Sequence, residues 1–226
     1  MSECLKHQET DKECMEYAII SHNIDFITFL MNEYGISIDL YACANYNNLD
    51  SFLVFYDQSN NLISCLISSP MFNITSLDKY FLSLGVYVNK KLLDGKTALH
   101  IAALYNNKET AELLISHSIY INEKDKDRET ALHNKAAISN SKETAELLIS
   151  NGANIYEKDK RGRTALHIAV ENNRKETVKL LLSHGANINT KDKVGKTALH
   201  YATWNNYKEI AELLILHGAK NKCFNI

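Results

Sequence analysis

The sequence predicts an all-α solenoid of stacked helical hairpins, and three observations carry that prediction. Thr-Ala-Leu-His occurs four times, at Thr97–His100, Thr130–His133, Thr164–His167 and Thr197–His200, with starts 33, 34 and 33 residues apart. Each copy is followed by a second shared block: KETAELLISHS, KETAELLISNGANI, KETVKLLLSHGANI and KEIAELLILHGAK. Within the blocks apolar residues recur at helical spacing, and short turns containing glycine or asparagine separate them.

The third copy shows the unit most clearly. Asp159-Lys160-Arg161-Gly162-Arg163 reads as a turn in which glycine supplies the unusual backbone angle. Thr164 stands where a helix N-cap belongs, its hydroxyl available to an orphaned amide. Leu166, Ile168, Ala169 and Val170 make a short first helix, and Asn172-Asn173 end it. A second helix is expected from about Lys175 to His184, with Thr177, Val178, Leu181 and Leu182 as its buried stripe. Gly185 then takes the left-handed position after the last turn. One such hairpin cannot bury its apolar face alone, so stability must come from stacking against neighbours.

These residues resemble the ankyrin repeat, D-x-x-G-x-T-P-L-H-x-A-A followed by L-L-x-x-G-A; the third copy matches over Asp159–Lys191. The systematic departure is alanine for proline after the threonine, at Ala98, Ala131, Ala165 and Ala198. Alanine favours helix but lacks the preset φ of proline at the first helical position. The resemblance implies an ankyrin-repeat solenoid that works as a non-catalytic protein–protein interaction module, a scaffold or adaptor.

The first ninety residues lack Thr-Ala-Leu-His yet echo the same unit. EYAIISHNIDFITFLMNEYGISI places Ala18 over Ala102 and Phe29-Leu30 over Leu113-Leu114. YACANYNNLDSFLVFY sets Asn47-Asn48 over Asn106-Asn107, and a weaker third copy sets Ser83-Leu84-Gly85 over Ser183-His184-Gly185. This segment resembles the uncharacterised domain that precedes ankyrin repeats in expanded protist families. A separate globular N-terminal domain is the alternative. The organisation expected is a tail (1–13), a degenerate ankyrin-like helical region (14–90), and regular repeats over 91–124, 125–158, 159–191 and 192–226, the last including a C-terminal tail.

Composition narrows the function. With 25 basic and 27 acidic side chains and a net charge of -2, the chain shows neither the excess nor the stripe of cations that a duplex binder carries, so no nucleic-acid partner is expected. Five scattered cysteines without a C-x-x-C pair read as reduced thiols, and Cys43 and Cys65 as small core residues. No apolar run long enough to span a bilayer and no signal-peptide core occur, which predicts a soluble, cytoplasmic protein with the nucleus as an open alternative. No phosphate loop, nucleophile elbow or zinc-protease motif appears, so neither catalysis nor a cofactor is expected.

The recurrent His100, His133, His167 and His200 invite a metal reading. Stacked repeats would hold them about 10 Å apart, too far to share an ion bound at about 2 Å. The resemblance assigns them to the Thr-containing turn, and His117, His184 and His217 suit the carbonyls at the ends of second helices.

The positions that vary between copies are the candidate binding residues. The ankyrin pattern places the turn tips and the residues after the first helix on the concave side. Here the tips include Lys126 and Asp127; Lys160, Arg161 and Arg163; and Lys193 and Lys196. The helix row holds Leu104-Tyr105, Ile138, Glu171 and Trp204, the last being the one tryptophan of the chain. Covering of neighbouring loops is the competing role for these side chains. The expected partner is a protein bound by a monomer, with self-association as the alternative and an enzyme after that.

One junction departs from the pattern. Ser118 replaces the helix-ending glycine, Arg128 replaces the turn glycine, and a residue is inserted around Asn134-Lys135. Left-handed backbone at non-glycine residues costs about 1 kcal/mol each, so this junction is expected to be the weakest of the regular array.

Overall fold

The structure, a computed structural model, describes residues 12–138 and 142–220, without the side chains of 136–138. The chain divides after Val86 into two compact units. Among the described residues there is no strand.

The first unit holds three helical pairs: α1 (Lys12–Ile20) with α2 (Ile24–Tyr34), α3 (Leu40–Asn45) with α4 (Leu49–Ser59), and α5 (Leu62–Ser68) with α6 (Thr75–Ser83). A 3₁₀ turn at Ser69–Phe72, carrying Pro70, interrupts the last pair. Asparagine does much of the shaping. In Asn47-Asn48 the first residue takes φ +51° and the second caps α4 through a 2.9 Å bond from the Ser51 amide. Phe52 is the centre of the core, with Phe72 and Phe81 ring centroids at 4.9 and 5.8 Å. Cys14, Cys43 and Cys65 are buried free thiols, and burial pushes Cys43 and Cys65 up to about 12, so both stay protonated. Cys4 and Cys223 lie outside the described residues.

The second unit contains four regular hairpins: α7 (Ala98–Leu104) with α8 (Lys108–Ser116), α9 (Ala131–Ile138) with α10 (Glu143–Ser150), α11 (Ala165–Glu171) with α12 (Lys175–Ser183), and α13 (Ala198–Trp204) with α14 (Lys208–Leu216). First helices pack on first helices and second on second, as the repeat spacing requires. In α12 Thr177, Val178 and Leu181 are buried as expected, but Leu180 is the fourth buried residue and Leu182 is half-exposed.

Each Thr-Ala-Leu-His forms the same lock. The Thr97 amide donates to His100 Nδ1 at 3.1 Å and the Thr97 hydroxyl lies 2.8 Å from the same nitrogen. His100 Nε2 then reaches the Glu129 carbonyl at 3.1 Å, in the next repeat. A carbonyl only accepts, so Nε2 carries the proton and Nδ1 is the acceptor. His133 reaches the Glu157 carbonyl and His167 the Thr190 carbonyl at the same 3.1 Å. One ring nitrogen thus closes the turn within its own repeat, and the other holds the next repeat. His117, His184 and His217 each place Nδ1 within 2.9 Å of the carbonyl four residues earlier, closing their helices.

Backbone bonds join the turn fingers. The Lys126 amide donates to the Asp94 carbonyl (2.8 Å), Lys160 to Asp127 (2.8 Å), and Lys193 to Arg161 (2.9 Å). Gly162 needs its missing side chain twice over: φ is +78°, and a Cβ would lie 2.9 Å from the Lys193 nitrogen. At the loop ends Asn89, Asn122 and Asn189 donate to the carbonyls of Ser118, Gly152 and Gly218, and each accepts an amide two residues beyond that carbonyl. Tyr156 holds the corresponding place at the third junction, and its hydroxyl reaches the Gly185 carbonyl at 3.3 Å.

The irregular junction departs from expectation in one respect. Ser118 and Arg128 do take left-handed backbone, at φ +62° and +61°. The inserted residue, however, is not at Asn134-Lys135. His133 keeps its lock, and Asn134 and Lys135 are buried at the positions of Ile101 and Ala102. The extra residue therefore enters between Lys135 and the start of α10, and the beginning of α9 is not rotated. Asn134 donates to Glu129 at 2.9 Å, while its buried carbonyl oxygen has no hydrogen-bond partner among the described residues.

Candidate functional site

The candidate site builds up from the last regular finger. Asp192 is buried, and one of its oxygens accepts the Val194 and Lys196 amides at 3.0 and 2.8 Å. Its other oxygen accepts the Tyr201 hydroxyl at 2.8 Å. Burial works to raise the Asp192 carboxyl, but Tyr201 and the two amides outweigh it and hold it below the usual carboxylate range. Tyr201 is pushed up to about 12, by burial first and then by Asp192. This clamp fixes the finger relative to α13. Lys196 then projects between two rings, with its ammonium 5.0 Å from the Trp204 centroid and 5.7 Å from that of Tyr201.

Trp204 is 81% exposed, in a groove lined by Glu171, Lys196, His200, Tyr201, Thr203 and Asn205. An indole left in water this fully contributes little to folding, and its burial against a partner is favourable. Leu104 and Tyr105 are half-buried in the first regular repeat, so they share the row but not the groove. The side chain of Ile138 lies outside the described residues.

The charged tips separate into two groups. Lys126, Asp127, Lys160, Arg161 and Lys193 are exposed, Lys160 reaching Asp127 at 3.3 Å. Arg163 is different: its side chain is 12% exposed and its guanidinium meets Asp159 at 2.7 Å, Glu171 at 2.6 Å and Glu129 at 3.8 Å. Arg163 is thus held within the repeat stack, while Glu171, paired with it, stays partly exposed at the edge of the Trp204 groove. Glu129 is pushed up by burial and by Asp125, with Arg163 opposing.

One expectation from composition needs correcting. The fingers do carry a row of cations, formed by Lys126, Arg128, Lys160, Arg161, Lys193 and Lys196, all exposed. The row is invisible in the net charge because the finger acids Asp125, Asp159 and Asp192 are turned inward onto backbone amides. Tyr201 is the site residue that the pattern reading missed. Its signal was present, since the last copy reads Thr-Ala-Leu-His-Tyr where the first and third have isoleucine.

Among the described residues no cluster of histidine, cysteine or carboxylate is arranged to hold a metal, and no helix is long and apolar enough to cross a membrane. A family model described as ankyrin repeats (3 copies) matches residues 40–159 and 134–225, and one described as a domain of unknown function (DUF3447) matches residues 1–55. No curated protein matches the chain. The ankyrin matches span most of its length and include the degenerate pairs from α3 onward. With the Thr–His locks and stitched fingers in place, the chain belongs to the ankyrin-repeat family, behind an N-terminal segment of the DUF3447 type.

Proposed function

We propose that this protein is a non-catalytic binding module that holds a protein partner through its turn tips and the face carrying Leu104 and Trp204. Ankyrin repeats serve generally as protein–protein interaction modules, and the observation that carries the reading here is Trp204. The single indole of the chain stands in water, braced by Lys196, where it adds nothing to the fold. A rigid aromatic presented in this way loses little conformational freedom on binding, so most of its buried area counts toward affinity. The test is a quantitative pull-down from cell lysate comparing the wild type with a folded Leu104→Ala/Trp204→Ala variant. Loss of one specific protein from the variant supports the reading. Equal capture by both places recognition elsewhere, with the first unit as the next surface to vary.

A second reading, self-association, draws on Ile215 and Leu216, which α14 leaves exposed, Leu216 to 81%. Light scattering over a range of concentrations separates the two: a mass independent of concentration speaks against assembly.

A further inference from the structure

We infer that the partner presents an acidic, extended segment, whose carboxylates lie along the finger row of the second to fourth regular repeats and whose apolar side chain covers Trp204. This rests on the protein-binding reading above and adds the partner's chemistry.

The exposed charge of the fingers carries the inference. The chain as a whole is slightly acidic, at -2, yet the three fingers expose Lys126, Arg128, Lys160, Arg161, Lys193 and Lys196 against the single exposed carboxylate of Asp127. This excess has a structural origin, since each of these fingers turns one Asp inward to accept its own amides, and its outward positions are left mainly to cations. Of the six, only Lys160 is joined to an acid by an ion pair among the described residues, and that pair is itself exposed. Lys126, Arg128, Arg161 and Lys193 can meet a ligand without the loss of an internal ion pair, and Lys196 faces the Trp204 and Tyr201 rings.

The row also points to a polypeptide. Val194, 75% exposed, and Trp204 interrupt the cations with apolar surface, which is the composition of a peptide groove. Lys196 joins the two parts of the surface: it belongs to the last finger and its ammonium lies over the Trp204 and Tyr201 rings, so a carboxylate and an apolar group adjacent in one ligand would be met together.

The experiment uses the intact protein and reads Trp204 emission, which reports from this site alone because the chain has no other tryptophan. The probe is a synthetic peptide of about 12 residues, roughly 40 Å when extended, rich in Asp and Glu around a central Leu-Phe pair. Its amide counterpart, with Asn and Gln for the acids, and a short oligothymidylate are the comparison ligands. The expected result is a saturable blue shift with the acidic peptide, weakened ~10-fold or more between about 50 and about 300 mM salt and by a similar factor in Arg161→Glu/Lys193→Glu. That variant should unfold at the wild-type temperature, because both side chains are exposed and in no ion pair among the described residues. Equal binding of the amide peptide overturns the acidic preference and leaves docking at Trp204 standing. Tighter binding of the oligothymidylate overturns it in favour of nucleic acid. No response to either peptide also overturns it, while the broader reading is decided separately by the pull-down.

Discussion

Lys135 donates from its ammonium group to the side-chain carbonyl of Asn106, one repeat away, and it does so from a position held by Ala102, Ala169 and Ala202 in the other regular repeats. Its side chain is fully buried, and Thr144 donates to the same Asn106 oxygen at 3.1 Å. Burial drives the lysine down from 10.5 to about 8, with Glu143 opposing and Arg174 adding to the fall.

The consequence is a penalty with a definite pH window. A lysine that is harder to protonate when folded costs stability fully below pH about 8, and the cost is relieved as pH rises toward 10.5, where the unfolded chain also loses the proton. The difference is worth roughly 3 kcal/mol. Lys135→Ala should therefore stabilise the protein by about 2 kcal/mol at neutral pH, the remainder being lost with the Asn106 bond. Urea unfolding from pH 7 to pH 10, at about one-unit steps, should show wild-type stability rising relative to the variant. Parallel pH curves for the two proteins would contradict this.

Backbone strain at the same junction can be removed separately. Ser118→Gly and Arg128→Gly should each stabilise by about 1 kcal/mol, because both residues occupy left-handed backbone that glycine takes freely. Gly162→Ala should do the reverse and cost more, since the new Cβ would also press on the Lys193 nitrogen of the next finger. Thermal unfolding of the three variants gives the order directly.

Acid should loosen the array before the carboxylates titrate. Burial holds His100, His133 and His167 below their usual 6.5, so all three are neutral in the folded protein at pH 7. The unfolded chain takes up protons first as pH falls through 6.5, and stability drains from there down to the folded values. The melting temperature should drop between pH 7 and pH 5, and His133→Gln should be less stable at pH 7 but show a shallower slope. An unchanged slope would place the acid sensitivity elsewhere.

Arg163 offers a test of the polar stack. Arg163→Ala strands Asp159, Glu171 and Glu129 around a nearly buried site and should cost about 3 kcal/mol. Arg163→Lys should recover only part of that, because a lysine cannot offer the planar fork that meets three carboxylates. Denaturant midpoints for the two variants decide it, and equal loss in both would mean that charge alone matters.

Much of this architecture is legible in the residues before any coordinates. Thr and His three residues apart, repeated at a fixed period, announce the lock, and Asn47-Asn48 announces a left-handed turn followed by a cap. What is not legible depends on direction in space. The site of the extra residue is ambiguous because Asn134-Lys135 looks like the insertion; only their burial shows that the helix start is in register. Arg163 and Glu171 read as exposed binding residues because a sequence does not show that a separation of eight residues brings them within 2.6 Å. Lys196 and Trp204 were both in view as candidates, but their meeting over a ring was not, and Tyr201 supplies the brace that brings it about.

One set of side-chain bonds along the array has a common direction. Asn89, His100, Asn122, His133, Tyr156, His167 and Asn189 all come from the earlier segment, and each meets main-chain atoms of the repeat that follows. The successor contributes only its backbone to these bonds, whatever its own side chains are. Each unit thus carries the instructions for seating the next. An additional copy would be seated by this set of bonds through its backbone alone, which gives arrays of this kind a simple route to lengthening by duplication.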